Sequence, residues 1–215
     1  MSKTLLMFKT FSKRIIRKNS WYLLFLVVLM VLLTVYDIHN LHVVKKLPFV
    51  LGIYIATPMI FGILYSSLVA SVFIEDKASG LLEFLMASGI DFKWLIDMYI
   101  ISYLIIAFPT LTLISTLFSV LVEDSRLLVE LESNAFGASL LIISLTLYVS
   151  SLQKNAGRYP VSVYIGVAIM FAYFLLSNYK FMNTAPLYVG TLLVVLSLAL
   201  TLLLRGRLRP ERMLP

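Results

Sequence analysis

Long uncharged apolar stretches recur along this chain, and short charged segments separate them. A helix needs about 20 predominantly apolar residues to cross a bilayer. The pattern predicts six such helices, with the ranges Trp21–Tyr36, Pro48–Ile74, Leu104–Val122, Ser133–Gln153, Tyr159–Tyr179 and Phe181–Leu204. The first is short and borrows flanking residues, and the third can extend back to Trp94. We therefore predict a six-helix transmembrane domain over residues 21–204, preceded by a segment 1–20 and followed by a basic tail 205–215.

Composition agrees with a lipid environment. The 215 residues are 60% hydrophobic and only 13% charged, whereas a soluble domain carries about 25% charged residues. The mean hydropathy is +0.96. Because a chain of this length cannot bury so much apolar surface in its own core, the predicted fold class is all-α and polytopic in a membrane. The chain contains no cysteine, which excludes disulfides and cysteine-ligated metal sites.

The distribution of basic residues predicts the orientation. Lys and Arg are concentrated before the first predicted helix, after the second and the fourth, and after the last. The opposite loops hold only Lys45, Lys46, Arg126 and Lys180. Since cytoplasmic loops carry the excess of Lys and Arg, we predict a plasma-membrane (cell inner membrane) protein with both termini in the cytoplasm. The net charge of +7 then reflects topology and contact with anionic membrane lipid, and no nucleic-acid partner is expected.

The segment before the first predicted span is amphipathic. At about 100° per residue, Phe11 and Ile15 lie on one side of a helix over residues 3–18. The basic residues on the other side include Lys9, Lys13, Arg14 and Arg17. This separation is typical of a helix that lies in the headgroup layer, and we predict that these basic residues contact the membrane surface. The alternative is an ordinary basic flank that happens to be helical.

Small residues recur at four-residue intervals in the second predicted span, at Gly62, Ser66 and Ala70. Small residues in this register allow two helix backbones to approach closely in a membrane. We therefore predict that they form a helix-packing face, although chance also produces such spacing.

Two acidic features have alternative interpretations. Asp97 lies near the start of the third span, where a coupling role, a local pair with Lys93 and a wet interface all explain it. The acidic segment Glu123–Glu132 is predicted to be a solvated external loop, with a short amphipathic helix as the alternative.

The most informative segment is Glu75–Ile90, a charged amphipathic stretch between the second and third spans. Read as one helix, it places one set of residues on one arc and a second set on the opposite arc. The first set is Glu75, Asp76, Ser79 and Glu83, and the second is Ala78, Leu81, Leu82 and Leu85. A membrane protein with such a helix in a cytoplasmic loop usually presents it to a soluble partner. The alternative is a surface helix that merely connects two spans.

Several kinds of chemistry have no support in the sequence. There is no Gly-Lys dipeptide, so the chain has no P-loop for ATP. The predicted spans hold no Ser–His or paired-carboxylate arrangement for hydrolysis. They also lack the ionisable residues that ion-driven transporters carry near the bilayer midplane. We therefore expect no enzymatic activity, no cofactor and no metal.

The segment resembles the loop motif of the ABC-2 type permeases of ABC transporters. That motif reads approximately E-x4-G-T/S-L-E-x-L-L-x-x-P-V/I, and the matching residues here are Glu75, Gly80, Leu82, Glu83, Leu85 and Ile90. Leu81 stands where the family has a small hydroxyl residue, and Gly89 where it has proline. With six spans, an in-plane basic helix and cytoplasmic termini, the resemblance covers the whole chain.

The resemblance implies a transmembrane permease subunit that pairs with a second permease copy and with two separate ATPase subunits. Residues 1–20 would be the connecting helix, and the stretch 75–90 would be the coupling helix that docks on the ATPase. The docking residues would be Glu75, Asp76, Gly80, Leu82, Glu83 and Leu85. The expected function is ATP-driven export of an apolar or amphipathic substrate. The alternatives are a haem-exporter B-type permease and a non-transport scaffold that recruits a cytoplasmic protein.

Overall fold

The computed structural model describes residues 3–44, 49–152, 164–169, 171–172 and 186–207, and every regular element in these ranges is a helix. The elements are α1 (Lys3–Lys18), α2 (Ser20–Val44), α3 (Phe49–Ala78), α4 (Leu81–Ala87), α5 (Phe92–Val122), α6 (Ser125–Leu152) and α7 (Pro186–Arg207). Residues 164–169 and 171–172 are also helical. The all-α fold class is therefore confirmed for the described part of the chain.

Within the described ranges, four helices are long and apolar enough to cross a membrane. They cover Thr57–Ala78, Phe92–Val122, Ser125–Leu152 and Leu187–Arg207. The number rises to five if Lys9–Lys18 and Ser20–Leu33, which meet at an angle of 74°, form one bent span. The predicted total of six is not confirmed, because most of the predicted fifth span, Tyr159–Tyr179, lies outside the described residues.

The connection between α5 and α6 is shorter than the sequence pattern indicates. Glu123 ends α5 in a left-handed conformation, with φ of 58°. The Asp124 carboxylate accepts a hydrogen bond from the Arg126 backbone N–H at 2.9 Å, at the start of α6. The prediction of a solvated loop over Glu123–Glu132 is wrong, because residues from Ser125 onward already belong to α6. A carboxylate beside the first backbone N–H groups of a helix stabilises that helix start.

The core lies between α3, α5 and α6, and α7 packs along α6. Gly62 is in closest contact with α6, since a Cβ atom there would be 2.7 Å from Cβ of Ser139 and 3.3 Å from the Ala135 carbonyl oxygen. Ser66 and Ala70 are buried on the same helix. The helix-packing prediction thus falls on a buried part of α3, and at Gly62 the structure shows the expected close approach of two helices.

Helices α3, α6 and α7 run in one direction and α5 runs in the opposite direction. This arrangement collects basic residues at one end of the helix bundle and acidic residues at the other end. Lys77 at the end of α3 contacts the end of α6, and Arg205 at the end of α7 contacts the start of α5. We call this the basic end; among its residues are Arg14, Lys18, Lys77, Lys93, Arg205 and Arg207. The acidic end holds Glu123, Asp124, Glu130 and Glu132 beside Arg126. By the excess of Lys and Arg, the basic end is the predicted cytoplasmic end.

Helix α1 packs against α5 on one side and presents a basic surface on the other. The Phe11 and Tyr99 rings meet edge to face with centroids 4.9 Å apart. Ser12 and Ser102 hydroxyls are 3.2 Å apart, and Ile15 is fully buried in the core cluster. The apolar side of α1 therefore packs against α5 at Phe11 and Ser12 and against the core at Ile15. A location of the helix in the headgroup layer stays a prediction.

Candidate functional site

The segment between α3 and α5 turns at two glycines. Gly80 has φ of 73° and Gly89 has φ of 87°, and both values are costly for residues with a Cβ atom. Helix α3 ends at Ala78, α4 covers only Leu81–Ala87, and the Asp91 side chain accepts a hydrogen bond from the Lys93 N–H at the start of α5. We call residues 75–91 the α3–α4 corner. The prediction of one continuous helix over Glu75–Ile90 is wrong, because Gly80 breaks it.

Asp76 is the most deeply placed charge of the corner. Its side chain has no exposed surface. One carboxylate oxygen lies 2.5 Å from a guanidinium nitrogen of Arg14, and the other accepts a hydrogen bond from the Tyr99 hydroxyl at 2.7 Å. Tyr99 also packs edge to face on Phe73. The prediction that Asp76 shares an exposed acidic arc with Glu83 is wrong, because Asp76 instead joins α3 to α1 and α5.

The residues on either side of Asp76 also reach other helices. Glu75 forms an ion pair with Lys18 of α1, at a partly exposed position. The ammonium group of Lys77 donates to the backbone carbonyls of Ser150 and Ser151, at 3.2 and 3.0 Å. These carbonyls lie in the last turn of α6, where helical hydrogen-bond donors are missing and the helix dipole is negative. Lys77 therefore caps α6 while it is itself almost fully buried.

Asp97 has a partner from far along the chain. Its carboxylate lies 2.8 Å from a guanidinium nitrogen of Arg205 near the end of α7. The local pair with Lys93 that spacing suggests is not the one formed in the structure. Asp97 thus joins the start of α5 to the end of α7, next to the corner.

Helix α4 has one buried side and one exposed side. Leu82 is 2% exposed and belongs to the core cluster, and Leu85 and Met86 are half-buried. Phe84, by contrast, is 69% exposed, and Glu83 beside it is half-buried. An aromatic ring that is mostly exposed at a charged, polar end of a protein is the kind of side chain that anchors protein–protein contacts.

Sequence reasoning missed Phe84. A helical wheel that starts at Glu75 and runs through Gly80 assigns the wrong rotation to every residue of α4. Within α4, Leu82 and Phe84 lie about 200° apart on the wheel, so a buried Leu82 places Phe84 on the exposed side. The signal was Gly80 itself, because glycine within a helical pattern marks a possible end of the helix.

The basic side of α1 forms a shallow groove next to the corner. The groove has a volume of about 540 Å³ and is lined by residues that include Lys13, Arg14, Arg17 and Lys18. Lys9 is exposed further along the same helix. Arg14 and Lys18 are shared with Asp76 and Glu75, whereas Lys13 and Arg17 extend the positive surface. Contact of this surface with anionic lipid stays a prediction.

The contacts of the corner are ion pairs, hydrogen bonds and apolar packing. The described residues hold no group of three or more His, Asp or Glu side chains that could bind a metal ion. The arrangement instead presents a short helix, with one exposed aromatic ring, on a base of ion pairs. Comparison with models of protein families, with curated proteins and with solved structures finds no match.

Proposed function

We propose that this chain is the transmembrane permease subunit of an ABC exporter of the ABC-2 type. Helix α4 would be the coupling helix, and a separate ATPase subunit would bind it and supply the energy. The observation that carries this proposal is the geometry of α4. It lies between two membrane-spanning helices, and it exposes Phe84 while Leu82 anchors it to the core.

The contacts of the α3–α4 corner support a role in transmitting force. A displacement of α4 acts on α3 and α5 through the short connections at Gly80 and Gly89. The end of α3 is joined in turn to α1 by the Asp76–Arg14 ion pair and to α6 by Lys77. Chains of packed side chains, ion pairs and rigid helices can carry coupling between distant sites. ATP-driven closure of two docked ATPases would thus move several spans together.

In this proposal, the permease works as a dimer, and its cargo is apolar or amphipathic. The outward surfaces of α2 and α7 are rich in exposed apolar side chains, such as Phe25, Leu32 and Leu202. Such surfaces require lipid or a second permease copy as their neighbour. We place the protein in the plasma membrane, with the basic end and both termini in the cytoplasm.

The test is association with the ATPase and export in the cells that produce the protein. We expect Phe84→Asp to abolish co-purification of an ATPase that contains a P-loop, and to abolish ATP-driven export. Phe84→Leu, the matched control, keeps an apolar side chain and should retain both. Glu83→Arg should weaken association, because it reverses the charge beside Phe84.

The outcomes separate the proposal from its alternatives. If Phe84→Asp leaves both ATPase association and export unchanged, docking through α4 is wrong. If the partner that is lost has no P-loop, the chain is a scaffold that recruits another kind of protein. If the exported substrate is haem, the chain works as a haem-exporter permease.

A further inference from the structure

A second feature lies at the acidic end, away from the α3–α4 corner. A cavity of about 270 Å³ opens between α5, α6 and α7. Its apolar wall includes Phe108 of α5, Phe136 of α6 and Val194 of α7. The rings of Phe108 and Phe136 meet edge to face, with centroids 6.2 Å apart. A volume equal to about nine water molecules is close to the lower limit of small-molecule pockets, so one ring or a short chain fits.

Two polar groups of the cavity lack partners. Glu132 lines it, and among the side chains that the structure describes, none forms an ion pair with Glu132. Thr112 also lines it, and the hydroxyl oxygen of this residue is buried with no hydrogen-bond partner within the described ranges. A purely apolar occupant, such as a lipid tail, would leave the Glu132 carboxylate unmatched, at a cost in free energy.

The polar and apolar parts of the cavity lie at different depths. Helix α6 has 28 residues and is therefore about 42 Å long, whereas the hydrocarbon core of a bilayer is about 30 Å thick. Glu132 lies about 10 Å from the start of α6, which places its carboxylate close to the edge of the hydrocarbon core. Phe108 lies about 21 Å from the end of α5, closer to the midplane. The cavity is thus negative near the headgroups and aromatic below.

We propose that this cavity binds an amphipathic organic cation. The ligand is an amine or quaternary ammonium attached to a small apolar body. The ammonium lies beside Glu132 and the body lies against Phe108 and Phe136. Phe108 and Val129 are about half exposed, so the cavity opens on the outer surface of the helix bundle. A ligand dissolved in the membrane can enter from that side. The charge, depth and shape of the cavity therefore match a ligand whose ammonium group lies at the level of the lipid headgroups and whose apolar body lies at the level of the acyl chains.

The test is equilibrium dialysis of the full-length protein in lipid nanodiscs, with empty nanodiscs as the blank. The probe is 4-phenylbutyltrimethylammonium, and its comparison ligand is the uncharged analogue in which carbon replaces nitrogen. We expect saturable binding of the cation. Glu132→Gln should weaken cation binding about ten-fold or more, the effect of losing one close ion pair, and should leave the uncharged analogue within about two-fold.

Glu123→Gln is the matched control, because Glu123 is exposed at the same end and lies outside the cavity wall. It should leave both ligands unchanged. The proposal is overturned if nothing saturable binds above the blank. It is also overturned if Glu132→Gln binds the cation like the wild type, or if the uncharged analogue binds equally well. No ATPase is needed for this measurement, so its failure and a failure of ATPase docking are distinguishable.

Discussion

Asp76 is the residue that links the α3–α4 corner to its neighbours. Its side chain has no exposed surface; the carboxylate forms an ion pair with Arg14 and accepts a hydrogen bond from the Tyr99 hydroxyl. Glu75, its neighbour in sequence, also pairs with α1 through Lys18, but its side chain is 54% exposed. The two adjacent carboxylates therefore make similar contacts in different surroundings, and they offer a direct comparison of a buried ion pair with an exposed one.

We predict that Asp76→Ala lowers the free energy of unfolding by about 1–3 kcal/mol, because it leaves the buried Tyr99 hydroxyl and one end of Arg14 unmatched. Glu75→Ala should cost no more than about 1 kcal/mol, since exposed ion pairs contribute little. Unfolding in mixed detergent micelles measures both. Equal effects of the two substitutions would contradict the assignment of Asp76 as the link between α3, α1 and α5.

Lys77 provides a second prediction for single residues. Lys77→Met keeps the length of the side chain but removes the donor to the carbonyls of Ser150 and Ser151. Unmatched carbonyls in a buried helix end cost free energy, so we expect a loss of about 1–2 kcal/mol in stability. Lys93→Met, at an exposed position of the same end, should be close to neutral. Thermal unfolding of both variants in one detergent is the measurement.

At the scale of elements, the close contact of α3 with α6 depends on Gly62, which has no side chain. The Cβ atom of Gly62→Ala would lie 2.7 Å from Cβ of Ser139. At Gly206 of α7, a Cβ atom would meet nothing within 4 Å. Alanine is the better helix former by about 1 kcal/mol. The same substitution therefore has opposite expected effects at the two positions.

We predict that Gly62→Ala destabilises the protein and that Gly206→Ala is neutral or slightly stabilising. Measuring the resistance of each variant to unfolding by SDS tests this directly. A Gly62→Ala variant as stable as the wild type would show that α3 and α6 do not depend on this close approach.

The sequence pattern predicts the elements better than their ends. The long apolar stretches show which segments are helical because they depend on local composition alone. The sequence pattern does not show that α3 continues through Glu75 and Asp76 to Ala78, because the partners of those charges come from α1. For the same reason it suggests Lys93 as the partner of Asp97, whereas the observed partner is Arg205. Contacts between distant parts of the chain leave no local signal.

The candidate site was predictable in position but not in detail. The charged segment between two apolar spans identifies the corner, and Gly80 is visible in the sequence as a possible break. The exposure of Phe84 follows only once the break at Gly80 sets the rotation of α4, and the burial of Asp76 follows only from its contacts with Arg14 and Tyr99. A prediction that treats Glu75–Ile90 as one helix therefore identifies the segment of the candidate site but assigns the wrong residues to its exposed surface.

At the scale of the whole molecule, the basic and acidic ends predict the orientation in the membrane. The absence of cysteine makes single-cysteine labelling simple, and both Ser88 and Ser125 are exposed. We predict that a membrane-impermeant maleimide labels Ser125→Cys in intact cells, and labels Ser88→Cys only after the membrane is opened. The reverse result would place the α3–α4 corner outside the cell.

Site-specific photo-crosslinking in living cells tests the central claim most directly. A photoreactive benzoylphenylalanine at Phe84 is compared with one at Val120, which is 68% exposed near the end of α5 that leads to the acidic end. We predict that position 84 crosslinks to an ATPase with a P-loop and that position 120 does not. If position 84 forms no crosslink to such an ATPase, or if position 120 crosslinks to it equally well, α4 is not the docking helix.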